Sequence, residues 1–167
     1  MMLLQLLAVL ATLSCGQAGS TTQNADDLLA DPYVDGTCGF SIQPPKDWQI
    51  IRQRLAEKQG ITLLRLVGRI GPTQSEEILL RQSSTTRDLP IGEMLKQIND
   101  DWTLVNNKLE VLSTQEQEIA GKPGGVFAAT YEAQGLKWVL IEALVQTQKQ
   151  QYFVLLYKGP AATRKTG

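Results

Sequence analysis

Residues Tyr152 to Tyr157 are apolar on both alternations of a strand, with Tyr152, Val154 and Leu156 on one side and Phe153, Leu155 and Tyr157 on the other. Successive strand side chains point to opposite faces, so such a segment requires a sheet that is covered on both sides. The segments before it read as hairpin strands. Leu109 to Ile119 turns through Gly121-Lys122-Pro123-Gly124-Gly125 into Val126 to Ala133. Gln134-Gly135 leads into Lys137 to Thr147, and Gln148 to Gln150 leads into the doubly apolar strand.

One long helix precedes this meander. Pro90 sits in its first turn, where a missing N–H costs nothing, and Ile91, Met94, Leu95, Ile98, Trp102 and Val105 recur at helical steps. Glu93, Lys96, Gln97, Asp100 and Asp101 lie off that stripe and are expected to face water. Further upstream, Cys38 to Gln43 reads as a strand stopped by Pro44-Pro45, and Ile61 to Val67 and Glu76 to Gln82 read as two more. The stretch from Trp48 to Gly60 is open between a short helix and an irregular arm. Strands, one helix and then a meander predict an α+β fold, an antiparallel sheet with helices packed on it.

The first 18 residues read as a signal peptide. Met1 to Ser14 carries no charge, and its leucine-rich run of about 11 residues is too short to span a bilayer and the right size for an export leader. Thr12-Leu13-Ser14-Cys15-Gly16 resembles a bacterial lipobox, which makes Cys15 the candidate for lipidation and for the mature N-terminus. Cleavage after Ala18, with simple secretion, is the competing reading. Residues 19–36 are expected to form a polar tether, 37–158 the folded domain and 159–167 an irregular tail. With Cys15 lipidated or removed, Cys38 is left as a small buried hydrophobe rather than half of a disulfide.

The chain has no histidine, which excludes Ser-His, Cys-His and His-ligated metal chemistry. A formal charge of −1 gives no basic field for nucleic acid, and no nucleic-acid partner is expected. Glu76 and Glu77 point to opposite faces of a strand, and Asp100 and Asp101 lie on the outer side of the helix, so neither pair converges on a cleft. Neither Asn24, Asp26 and Asp27 nor Asp31 and Asp35 reaches the ligand number calcium needs. Gly121 to Gly125 lacks the phosphate-loop order. Trp102 and Trp138 continue apolar stripes and read as core. Trp48 follows Pro44-Pro45 outside a regular element, either a lid over the first strand or a surface contact. No catalytic, cofactor or metal residue is expected.

Phe40-Ser41-Ile42-Gln43-Pro44-Pro45-Lys46-Asp47-Trp48 resembles the opening of PsbP-like domains, including bacterial lipoproteins of the DcrB type. A Gly71-Pro72 turn, the helix opening Leu89-Pro90-Ile91, Leu109 to Ser113 and Ile119 to Pro123 follow in the same order. The resemblance covers roughly Gly39 to Lys158. It implies an α-β-α sandwich around an antiparallel sheet, and binding or accessory work without catalysis. Members close with an amphipathic helix that Lys158 to Gly167 does not supply, so an uncovered sheet face and self-association through it are expected.

The functional expectation is therefore an exported, lipid-anchored, non-enzymatic binding or accessory protein of the cell envelope or periplasm. It would be held to the membrane through lipid on Cys15 and would act on an envelope protein. The alternative is a small secreted enzyme using carboxylate or Ser/Thr/Lys chemistry.

Overall fold

The computed structural model describes residues 2–3, 29–57, 60–69, 75–106 and 108–161. The chain clusters into two compact units, Met1–Trp48 with Ile119–Gly121, and Gln49–Glu118 with Lys122–Gly167. The division at Trp48 falls inside the 37–158 range expected to form one domain. Cys15 and the rest of residues 4–28 lie outside the described residues.

In the first unit, β1 (Met2–Leu3), β2 (Tyr33–Asp35) and β3 (Phe40–Ile42) form a three-stranded sheet in the order β1-β3-β2. Asp35 organises the β2–β3 turn: its Oδ1 accepts the N–H groups of Thr37 and Cys38, each at 2.9 Å. An aspartate carboxylate bonding its own backbone two and three residues on stabilises a reversal without any tertiary help. Tyr33–Asp35 is thus a paired strand where the sequence suggested tether, and Cys38 is half-buried at the turn.

The second unit holds β4 (Gln49–Glu57), β5 (Gly60–Arg69), β6 (Ser75–Ser84), α1 (Ile91–Val105), β7 (Glu110–Ile119), β8 (Lys122–Ala133), β9 (Leu136–Gln148) and β10 (Gln151–Pro160). Its seven strands run in the order β4-β5-β6-β10-β9-β8-β7. The last strand therefore occupies the centre. Leu155 pairs with Leu80 of β6 on one side and Ala143 of β9 on the other, both antiparallel. That central position is why β10 is apolar on both alternations.

On one face Ile91 and Leu95 of α1 pack against Phe127, Leu140, Leu144, Tyr152, Val154 and Leu156. On the other face Leu66, Ile78, Leu80, Val126, Val145 and Leu155 are also buried. Phe153 and Leu155 are 6% and 2% exposed. These side chains are therefore buried where an uncovered sheet face was expected.

Other differences have local causes. The stretch after Trp48 is the edge strand β4, whose Arg52 and Arg54 obscure its alternation and whose ladder with β5 is bulged between Arg52 and Leu55. β10 continues through Gly159 and Pro160, which the tail assignment excluded; the proline is tolerated at the strand end, where a missing N–H is least costly. Val105 is 72% exposed, because the apolar stripe leaves the sheet in the last turn of α1.

The β7–β8 reversal is tighter than the glycine-rich stretch suggested. Ala120 (φ 53°) and Gly121 (φ 71°) make a two-residue turn, and Gly124 and Gly125 lie within β8. Gly125 is instead the point where helix and sheet approach. A Cβ there would sit 2.7 Å from Leu95 Cδ1 and 2.9 Å from the Gln115 carbonyl oxygen. Gly125→Val should lower stability by about 1–3 kcal/mol through overpacking, read as a shifted urea midpoint at unchanged slope.

Candidate functional site

Helix α1 rests on the β8-β9-β10 half of its sheet face, and a cleft of about 860 Å³ opens beside it toward β4, β5 and β6. The helix wall carries Met94, Gln97, Asp101 and Trp102. The strand wall carries Ala56, Ile61 and the polar run Ser83-Ser84-Thr85, and Arg81 and Glu142 also line the cleft.

Glu142 is a carboxylate on a strand position whose neighbours on the same side, Leu140 and Leu144, are fully buried. It is itself 9% exposed. Its Oε2 accepts the indole N–H of Trp102 at 2.8 Å, a bond that joins helix to sheet. Burial pushes the Glu142 carboxyl above the ordinary glutamate range; the Trp102 hydrogen bond and the charges of Arg81 and Lys158 oppose that rise, and Asp101 adds to it.

Trp102 is the hub of this corner. Its ring lies near-parallel to Tyr131 at 6.5 Å, and Tyr131 lies likewise against Trp138 at 6.4 Å, its direct partner across the β8–β9 ladder. Lys158 Nζ stands 5.5 Å from the Trp102 ring centroid, within cation–π range. Burial raises the Tyr131 hydroxyl above its usual range, with the Glu77 charge adding to it.

The lips of the cleft are apolar and open. Leu104 and Val105 are 81% and 72% exposed on the helix side, and Ile61 is 43% exposed across from them. Together these side chains give the cleft an apolar rim.

The sequence-level candidates separate from this site. Trp48 is half-buried in a turn, its N–H donated to the Pro45 carbonyl at 3.4 Å, and does not line the cleft. Glu77 faces Arg65 at 3.0 Å, while Glu76 lies against Tyr157, whose hydroxyl is pushed up by burial and then by that carboxylate. Asp100 pairs with Lys96 one helical turn away, whereas Asp101 lines the cleft despite its place off the apolar stripe. Glu142 is a lone acid in the sequence and forms no carboxylate pair with a neighbour. Its signal was a charged residue on the inward alternation of an otherwise apolar strand.

The sequence matches no protein-family model and no curated protein. Solved structures do resemble the chain. The cyanobacterial PsbP, CyanoP, of Synechocystis sp. PCC 6803 aligns over 86% of this chain and 86% of its own at 9% identity, with a TM-score of 0.56. The fold is PsbP-like. PA94 of Pseudomonas aeruginosa, a protein of unknown function suggested to be a regulator, aligns over 80% of this chain and 84% of its own at 10% identity and a TM-score of 0.53. LpqN, involved in cell envelope biogenesis of Mycobacterium tuberculosis, aligns over 70% and 67% at 15% identity and a TM-score of 0.52. At these identities the likeness concerns the fold.

Proposed function

We propose that this chain is an exported, lipid-anchored and non-catalytic binding protein of the cell envelope, working through the cleft beside α1. The observation that carries the binding role is the open cleft itself, with Leu104, Val105 and Ile61 exposed along its lips. Neighbours of the same fold described as a suggested regulator and as an envelope-biogenesis protein support accessory work. Export, the DcrB-type lipoprotein assignment and attachment through Cys15 are supported by the short leucine-rich run from Leu3 to Leu13 and the Ser14-Cys15-Gly16 step.

One observation favours the enzymatic alternative: Glu142, Asp101 and Arg81 share the cleft, and the Glu142 carboxyl is raised by burial. Against it stands the Trp102 indole, which already occupies a Glu142 oxygen and gives that carboxylate a positioning task.

Two measurements test the proposal on the full chain in its own envelope. Intact mass of the mature protein should show a diacylglyceryl group on an N-terminal Cys15; a start at Gly19 would replace anchoring by secretion, and retention of Met1 or Met2 would overturn export. A photo-crosslinking residue at Leu104 should give a discrete adduct that the same residue at Leu112, exposed on β7, does not. Absence of any adduct at Leu104 would overturn the binding role of the cleft.

A further inference from the structure

We infer that the cleft takes a small organic ammonium compound, its charged nitrogen held between Glu142 and Asp101 and its apolar body lying between α1 and the sheet. This rests on the cleft being a binding site. Glu142 is 9% exposed and yet lines the cleft. Its Oε2 accepts from the Trp102 indole, whereas Oε1 has no hydrogen-bond donor among the described residues. A nearly buried carboxylate oxygen without a donor is costly, and a cation entering from the cleft removes that cost.

The charges around that oxygen fit a single positive group. Asp101 lines the cleft from the helix and makes no hydrogen bond or ion pair among the described residues. It lies near enough to Glu142 for the two negative charges to oppose each other. Among the described residues lining the cleft, these two carboxylates face one guanidinium, that of Arg81, which already has a partner within the chain. Lys158 also acts on Glu142 but does not line the cleft, its Nζ standing 5.5 Å from the Trp102 ring centroid. The lining therefore has an excess of negative charge, in a recess where water screens it poorly. An ammonium group has three donors. Glu142 Oε1 and the Asp101 carboxylate accept two, and Gln97, one helical turn before Asp101, offers an amide oxygen for the third. Met94, Ile98, Leu144 and Val154 line the rest, which suits a hydrocarbon body rather than a bare hydrated cation.

The test titrates the full chain with n-hexylammonium, n-hexanol and hexanoate, followed by the NMR signal of the Trp102 indole N–H, with those of Trp48 and Trp138 as internal references. Hexylammonium should shift the Trp102 signal to saturation and bind about tenfold or more tightly than hexanol, as a charge-assisted contact does, with hexanoate weaker still. Glu142→Gln and Asp101→Asn should each shrink the preference for hexylammonium over hexanol about tenfold. Asp101 is exposed, so its variant is expected to fold even if the buried substitution does not. Asp100→Asn, next in sequence but paired with Lys96, should leave the preference intact. Equal binding of hexylammonium and hexanol, a preference for hexanoate, or a preference that survives Asp101→Asn would overturn the ammonium assignment. So would the absence of saturation by hexylammonium; a Leu104 adduct found alongside that absence would leave the cleft a binding site, and no adduct would remove both readings.

Discussion

Truncating Phe127 to alanine should cost about 3–5 kcal/mol of unfolding free energy, a large share of what a domain of this size possesses. Phe127 has no exposed surface and lies in the cluster that Ile91 and Leu95 of α1 close against the sheet. It sits on β8 directly across from Glu142, so its ring also borders the buried carboxylate. Deleting the ring removes its transfer energy and leaves a void that α1 cannot fill, because Gly125 already brings Leu95 close to the sheet backbone. Urea denaturation reads the loss as a lower midpoint. Leu112→Ala, at a side chain 57% exposed on the edge strand, should change stability by less than about 0.5 kcal/mol. Equal losses at the two positions would mean that the core is not where α1 places it.

How much of this was legible depends on what each residue signals alone. The double apolarity of Tyr152 to Tyr157 announced a strand covered on both faces, and β10 is the central strand of seven. The burial of Phe153 and Leu155 depends on neighbours in three dimensions, which the order of residues around β10 does not signal. Ile91, Leu95 and Trp102 were readable from their spacing, and Val105 was misread by the same rule. A helical period continues past the point where the helix runs off its sheet, and nothing in the spacing marks that point. The strand β4 was ambiguous because edge strands carry charge to discourage further pairing, which blurs the period of two.

The cleft was legible only in fragments. Its walls come from β4, β5, β6 and α1, and the pairing of β6 with β10, far apart in sequence, sets them side by side. Ser83, Ser84 and Thr85 look like ordinary turn residues in the chain. Asp101 looks like solvated surface. Only the position of Glu142 between Leu140 and Leu144 carried a sign that something polar had been buried deliberately. A buried carboxylate is costly without a donor, and that cost is what ties Trp102 to it.

Removing that donor should therefore have an effect that depends on pH. Trp102→Phe keeps an aromatic ring against Tyr131 but deletes the indole N–H, leaving the Glu142 oxygen without it, a loss of about 1–3 kcal/mol. Trp102→Ala also forfeits the ring and its contact with Lys158, and about 3 kcal/mol or more is expected. The Glu142 carboxyl is raised in the folded chain by burial, so its protonated form is the one the fold favours. The stability tied to this group is complete below the ordinary glutamate range and is lost as pH rises through the raised value. The Trp102 bond partly offsets that rise, so deleting it lifts the Glu142 carboxyl further. Both variants should accordingly lose more at pH 8 than at pH 4. Glu142→Gln retains an oxygen to accept from Trp102 and cannot ionise, so it should flatten the pH dependence. Combined with Trp102→Phe, it should make the phenylalanine penalty nearly the same at both pH values. Urea midpoints at the two pH values for the four proteins close the cycle. A Trp102→Phe penalty that does not change with pH in the wild-type background would show that Glu142 does not sense the loss of its donor as a charge.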